Sequence, residues 1–294
     1  MDIIAKTVVA TGASSGLGFE AIKQLLGQAQ PYRFILGARD VHRTQAAYDG
    51  LKYDSAKHSL TVLPLELSDL KATKTFAQKT LEKLGHDDKV EYLMLNAGIT
   101  NGAENPGPHG SKWCEAYIVN HLAQHYLVHL LREKLVASKS RIVFVSSGAI
   151  RRVDDPSVLD AHLKGGSGED GNTIYCESKF VQLLGAQWWR RQLAGKCVVV
   201  AVSPGLIPDT GIGRGSGMKL TMDMPDAKPV SVGAESILRA FTRDDLPADP
   251  EQLFLTSWGE WWSKDVYEKT LDKELQDKWC PSKEQIEEEE RVEA

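Results

Sequence analysis

Tyr175 and Lys179 stand four residues apart in Tyr175-Cys176-Glu177-Ser178-Lys179. On a helix, residues i and i+4 share one face. A free phenol has a pKa of about 10 and exchanges protons poorly near neutrality. An adjacent ammonium favours the phenolate, so this pair is a candidate acid/base couple. Such pairs are common on helix surfaces, and the spacing alone decides little. Ser146 and Ser147 follow an apolar run and place hydroxyls at a strand's carboxyl end, where α/β sheets bind ligands. Asn96-Ala97-Gly98 ends another such run. Asn120 falls inside a helical stretch between Val119 and Leu122, which favours a buried amide with a task over a solvent-facing one.

The second candidate is a turn. Thr11-Gly12-Ala13-Ser14-Ser15-Gly16-Leu17-Gly18 follows the first apolar run and opens an amphipathic stretch. Glycines there permit a tight turn and close backbone approach, and a helix N-terminus offers free N–H groups to a pyrophosphate. A dinucleotide is the expected ligand. About 20 residues past Gly18, where the ribose 2′ position is read, stand Ala38, Arg39 and Asp40, with Arg43 beyond. A guanidinium complements a 2′-phosphate, so NADP is expected over NAD. Asp40 is expected to cap the next helix, the alternative being a ribose contact.

Elements must hold these groups in place. Apolar runs at 7–10, 34–36, 60–63, 92–95, 142–145, 197–202 and 253–255 predict strands buried on both faces. Helical patterns fall at roughly 16–29, 69–84, 111–137, 175–194 and 232–243. The alternation predicts an α/β fold: a Rossmann-type, doubly wound parallel sheet of about seven strands in a single domain. Residues 1–280 are expected to form that catalytic domain. An insertion is expected at about 148–174, and a substrate lid containing Met218, Met222 and Met224 at about 205–230. Residues 281–294, with Glu287 to Glu290, are expected to be an acidic tail or the solvated end of a helix.

The chain has 294 residues, 42% hydrophobic and 26% charged, enough for a sizeable core. Its net charge of -5 disfavours a nucleic-acid partner. Cys114, Cys176, Cys197 and Cys280 are widely spaced, as expected of a reduced, cytoplasmic protein. The sequence shows neither a signal-peptide pattern nor a membrane-length apolar run. His121 and His125 could share a metal on one helix face, but no third ligand is evident, and no metal is expected. Ser147 lacks the G-x-S-x-G elbow of a hydrolase. Cys176 is expected to be a structural thiol. Trp188 and Trp189 read as packing or an oligomer face, while Trp258, Trp261 and Trp262 could be core or pocket wall.

Taken together, the segment from Thr11 to Gly18, Asn96-Ala97-Gly98, Asn120, Ser147, Tyr175 with Lys179, and Pro204-Gly205 resemble the short-chain dehydrogenase/reductase superfamily. The likeness covers about residues 6–260. The glycine turn, Ala38-Arg39-Asp40 and Pro204 to Gly211 are similar to the light-dependent protochlorophyllide reductase branch. The long insertion before Tyr175 is shared with retinol-dehydrogenase-like members as well.

The resemblance implies roles. Tyr175 would be the general acid in reduction. Lys179 would lower its pKa and hold the nicotinamide ribose. Ser147 would bind the substrate oxygen, and Asn120 would fix a relay water. The cofactor would lie along Gly12, Ser14, Ser15, Gly16, Leu17, Gly18, Arg39, Glu66, Leu67, Asn96, Ala97, Gly98, Pro204, Gly205 and Thr210, besides Tyr175 and Lys179. Leu95, Glu66 and the late position of Thr210, with Asp209 in the usual place, depart from the family pattern. In many relatives the tyrosine helix packs in a dimer or four-helix interface, which would make a homo-oligomer. The function expected is NADP(H)-dependent hydride transfer between nicotinamide and a carbonyl or alcohol of an apolar small molecule. The alternatives are a C=C reductase and a non-catalytic NADP-binding protein.

Overall fold

The computed structural model describes residues 4–208, 210–214 and 220–292. Asp209, Met218 and the outermost terminal residues lie outside them. Strands β1 (Lys6–Thr11), β2 (Tyr32–Ala38), β3 (Ser59–Pro64), β4 (Tyr92–Leu95), β5 (Arg141–Val145), β6 (Val198–Val202) and β7 (Phe254–Leu255) form one sheet. The order is β3-β2-β1-β4-β5-β6-β7, and every neighbouring pair is parallel. The order reverses between β1 and β4, where Thr11 pairs with Leu95. A crevice opens at the carboxyl ends of strands that diverge in this way.

Side chains alternate across the strands. Val9, Leu93, Leu95, Ile142 and Phe144 face one core layer. Val8, Ala10, Met94, Val143 and Val145 face the other. Helices α1 (Gly16–Leu26) and α8 (Val230–Thr242) cover the second layer, together with Tyr48 of α2 (Val41–Asp49). Helix α3 (Leu70–Lys83) covers the first. It is joined there by α4 (Glu115–Tyr117), a π turn (Ile118–Leu122), α5 (Ala123–Ser138) and α7 (Gly171–Gln192).

Helix α2 is absent from the expected helical spans. Its cap was legible, however: Asp40 accepts from Arg43 N at 2.9 Å. Helix α7 begins four residues before the expected start, because Asp170 accepts from the backbone N–H of Asn172 (2.8 Å) and Thr173 (3.2 Å). Tyr175 therefore lies in the second turn rather than at the helix entry.

The insertion contains α6 (Leu159–His162) and is stitched to the loop before α4. Ala103 N donates to Glu169 O (2.8 Å), Cys114 N to Leu163 O (2.8 Å) and Gly166 N to Asn105 O (2.8 Å). His162 Nδ1 lies 2.7 Å from Glu177 Oε1 of α7. That hydrogen bond, with the nearby carboxylates, raises the His162 pKa and clasps the insertion to the tyrosine helix.

The C-terminal arm carries α9 (Lys273–Trp279) and α10 (Lys283–Glu289) and lies over α5 and α7. The Glu287 to Glu290 run is accordingly part of a docked helix end: Ile286 is buried, and Glu287 accepts from Tyr126 Oη at 2.6 Å. His121 and His125 face this arm through the carbonyls of Trp279 (2.8 Å) and Pro281 (2.9 Å). Trp189 is fully buried and donates to His125 Nδ1 at 2.9 Å. This pair is core packing, and among the described residues no group of three or more His, Cys, Asp or Glu side chains could hold a metal.

Candidate active site

A cavity of about 990 Å³ runs along the carboxyl edge of the sheet. At one end lies the glycine turn. Gly12 and Gly16 adopt φ of 64° and 55°. A Cβ on Gly12 would meet Ala97 Cα at 2.6 Å and Asn96 Nδ2 at 2.7 Å. A Cβ on Gly18 would meet Gly12 O at 2.2 Å. Asn96 Nδ2 donates to Gly12 O (2.8 Å), and Tyr48 Oη donates to Ala13 O (2.6 Å), so the turn is braced from both sides. Ser15 stands at the N-cap of α1 without using its side chain as a cap, and the first turn carries no acidic residue. The orphan N–H groups thus face the cavity and suit an anion. This cradle fits a dinucleotide pyrophosphate.

Below the turn, Thr11 Oγ1 accepts from the N–H groups of Asn96 (3.1 Å) and Ala97 (3.2 Å) and donates to Gln124 Oε1 (3.3 Å). Gln124 Nε2 donates to the carbonyls of Ala97, Val119 and Asn120. Sequence reasoning missed Gln124. The available signal was a second amide four residues after Asn120 in an otherwise apolar stretch. Gln124 serves the π turn that holds Asn120, because such a turn leaves carbonyls without their usual helical partners.

Ser147, Tyr175 and Lys179 meet at the middle of the cavity wall. Tyr175 is half-buried. Burial raises its pKa, the neighbouring Ser147 hydroxyl lowers it, and Cys176 raises it slightly. Lys179 is buried, and its Nζ donates to Val145 O (2.8 Å) and Gln182 Oε1 (3.2 Å). Desolvation brings its pKa down to about 7. The expectation that Lys179 depresses the Tyr175 pKa is therefore corrected for the protein alone. The ammonium is turned toward a carbonyl and an amide, and burial takes away much of the charge it would lend.

Two expected contacts lie behind the wall. Gly18 and Asn120 do not line the cavity. Gly18 is buried beneath Gly12. Asn120 is fully buried: Oδ1 accepts from Ile99 N (2.8 Å), while Nδ2 donates to Ile99 O (2.9 Å) and Ser178 Oγ (2.9 Å). Its side chain positions the wall. Gly98 separates this amide from the ammonium, since a Cβ there would lie 3.5 Å from Asn120 Oδ1 and 3.4 Å from Lys179 Nζ.

The remaining expected residues line the cavity: Ser14, Leu17, Arg39, Glu66, Leu67, Asn96, Ala97, Gly98, Pro204, Gly205 and Thr210. Thr210 packs against the glycine turn, its Cγ2 3.5 Å from a Cβ built on Gly16. Glu66 accepts from Ser68 N at 3.1 Å. Cys176 is buried and its thiol pKa is raised, as suits a structural thiol.

Leu206, Ile207, Leu220, Pro225, Trp258 and Trp262 give the cavity an apolar lining. Trp261 does not line it, and both Trp261 and Trp262 pack against the core. Met222 and Met224 are exposed, 49% and 37%, and do not line the cavity. The apolar wall is built from aliphatic and indole groups; of the methionines expected in the lid, Met222 and Met224 do not line it and Met218 lies outside the described residues.

Lys179 also gives a pH test. Its pKa is about 10.4 in an unfolded chain and about 7 when folded. Between those values the unfolded state binds the extra proton, so this group makes stability rise with pH. We expect Lys179→Met to be more stable than the natural chain below about pH 7, and the advantage to shrink as pH climbs toward 10. Melting temperatures of both proteins across that range check it. A difference that is flat with pH would show that the lysine is not desolvated.

Comparison with known proteins agrees with this architecture. A sequence profile described as short chain dehydrogenase matches residues 6–155. A short-chain dehydrogenase/reductase of Pestalotiopsis microspora, GME11359, is 59% identical over 97% of this chain and 98% of its own length. The chain belongs to the short-chain dehydrogenase family.

As a family member it is an oxidoreductase with a Rossmann-like single domain. Human retinol dehydrogenase 13 is 31% identical over 72% of this chain, which spans 62% of that enzyme's length. The fold of an NADPH-bound carbonyl reductase from chicken fatty liver covers 89% of this short-chain dehydrogenase and 95% of its own chain, with a TM-score of 0.67 at 21% identity. Among the described residues no helix is long and apolar enough to cross a membrane.

Proposed function

We propose that this short-chain dehydrogenase is an NADP(H)-dependent enzyme that interconverts a carbonyl and an alcohol on a small molecule. The observation that carries the reading is the convergence of Ser147, Tyr175 and Lys179 on one cavity wall, continuous with the glycine cradle. The retinol dehydrogenases and the NADPH-bound carbonyl reductase among its relatives and neighbours support the same reading.

When bound, the nicotinamide supplies or accepts the hydride. The chain supplies the rest. The N-terminus of α1 and the cradle hold the pyrophosphate. Pro204 and Gly205 bring bare backbone to the cavity wall, and Gly205 takes a φ of 90°. As negative charge develops on the substrate oxygen, the Ser147 hydroxyl donates to it and Tyr175 Oη delivers the proton. Lys179, on the same wall, would hold the nicotinamide ribose, and Tyr175 would regain its proton from the solvent-open cavity. In the oxidative direction the same groups act in reverse. Asn120 and Gln124 touch neither substrate nor cofactor in this scheme. They fix the strand ends that carry the reacting groups.

Oxidation of NADPH, followed by absorbance against a panel of ketones, enals and enones, tests the reading. Turnover of a ketone to its alcohol supports it. Exclusive reduction of C=C bonds, or NADPH binding without any turnover, selects one of the two alternatives instead.

Cofactor choice rests on Arg39. It is exposed at the tip of β2, lines the cavity and forms no ion pair with a described residue. We expect Arg39→Ala to raise the KM for NADPH by about tenfold or more, the scale of one lost charge-assisted contact, and to leave the KM for NADH nearly unchanged. Equal changes for the two cofactors would remove Arg39 from 2′-phosphate recognition.

A further inference from the structure

Two guanidinium groups flank the reacting centre, and no carboxylate among the described residues forms an ion pair with them. Arg151 and Arg152 follow Ser147 in a short 3-10 turn (Gly148–Arg152) and line the same cavity. Both are exposed at its mouth. Arg151 Nε donates to Gly148 O at 3.0 Å, and its guanidinium carbon lies 5.1 Å from the centre of the Trp262 ring. Arg152 Nη1 donates to Asn172 Oδ1 at 3.1 Å, one turn before Tyr175 on α7. Neither arginine forms an ion pair with a described residue, although the chain as a whole is acidic.

The three described carboxylates that line the cavity have other partners: Glu66 accepts from Ser68 N at 3.1 Å. Glu115 accepts from Asn101 Nδ2 at 2.7 Å. Asp226 accepts from Ser257 Oγ at 2.9 Å and lies 3.4 Å from Lys228 Nζ. Stacking on an indole and a bond to backbone hold the Arg151 side chain in one orientation, which lowers the entropy cost of using its terminal N–H groups. A guanidinium so placed presents paired donors, the match for a carboxylate. The indoles of Trp258 and Trp262, 5.7 Å apart and tilted 59° to each other, offer an angled aromatic wall beside it.

We propose that the substrate of this site is an aromatic ketone, or the matching alcohol, that bears a carboxylate, with Arg151 and Arg152 holding the carboxylate while Ser147 and Tyr175 hold the carbonyl oxygen. This rests on the carbonyl-reductase reading above and adds a charge and an aromatic ring to its substrate. The arginines are specificity determinants, and the proton transfer itself does not use them.

The test uses the full chain loaded with NADPH, and the three isomeric benzoylbenzoates with their methyl esters as probes. Binding is read by calorimetry and turnover by NADPH oxidation. At least one acid is expected to bind about tenfold or more tightly than its ester, the scale of a charge-assisted contact. Added salt should narrow the gap. In the double variant Arg151→Met, Arg152→Met the acid-to-ester ratio should fall to about one, and in Arg151→Lys, Arg152→Lys part of it should survive. Esters that bind as well as acids, no binding of any probe, or an acid preference that persists in the methionine variant would each overturn the proposal. Arginine-dependent binding of an acid without turnover of any probe would retain the carboxylate site and count against the carbonyl-reductase reading.

Discussion

Replacing Tyr175 by phenylalanine is expected to lower kcat by about 10²–10⁴-fold, the range a positioned general acid supplies, while NADPH binding stays nearly unchanged. The ring remains, so the wall keeps its shape and the cradle, at the other end of the cavity, is untouched. Only the phenolic proton is lost. Ser147 can donate a hydrogen bond but cannot replace the proton donor, because an aliphatic hydroxyl is a far weaker acid than a phenol. Steady-state NADPH oxidation paired with fluorescence titration of the cofactor separates the two quantities. Retained turnover would remove Tyr175 as the proton donor. Parallel loss of turnover and NADPH affinity would point instead to a collapsed pocket.

The second large effect is expected at Gly12. An alanine there must take a left-handed backbone conformation at φ 64°, which costs about 1–3 kcal/mol. Its methyl carbon would also sit 2.6 Å from Ala97 Cα and 2.7 Å from Ala97 N, atoms fixed by the sheet. Overpacking of this kind adds about 1–3 kcal/mol. The melting temperature of Gly12→Ala should fall by several degrees, and NADPH should no longer raise it, since only a ligand that binds the folded state stabilises it. Gly166→Ala is the control. Its φ of 81° brings the same kind of strain, yet nothing lies within 4 Å of the added carbon. That variant should lose some stability and keep the NADPH-induced shift. If Gly12→Ala also kept the shift, the turn would not be where the dinucleotide sits.

The strands and the groups at their ends were legible because a buried parallel strand requires an unbroken run of β-branched and aliphatic residues. All seven apolar runs became strands. The cradle was legible for a related reason, since its glycines are dictated by backbone collisions that no other residue avoids. Local capping explains what went astray at α7: Asp170 starts the helix, but in a segment rich in glycine and acidic residues one more aspartate gave little signal. The π turn was hidden altogether. Gln124 bonds to the carbonyls of Val119 and Asn120 within the turn, while Asn120 and Gln124 also reach the carbonyls of Ile99 and Ala97, 21 and 27 residues away, a tertiary effect without local periodicity.

The electrostatics were the least legible part. A four-residue spacing predicts proximity of Tyr175 and Lys179. It does not reveal that Val145 O and Gln182 would draw the ammonium aside, or that desolvation would bring its pKa down to about 7. Likewise, nothing in the pattern distinguished Trp262, which lines the cavity, from Trp261, which does not. Side-chain direction after β7 depends on the antiparallel bridge between Leu255 and Trp261, which only the folded chain displays.

The docking of α9 and α10 bears on how separable they are from the rest of the molecule. Trp279, Pro281 and Glu287 cover His121, His125 and Tyr126. Peeling the two helices away would strip three polar side chains of α5 and its entry turn of their partners, at about 1–3 kcal/mol for each one left unsatisfied. The pair therefore behaves as a strap belonging to the body of the molecule, and a cut in the chain ahead of it would be felt throughout the layer that carries the tyrosine helix.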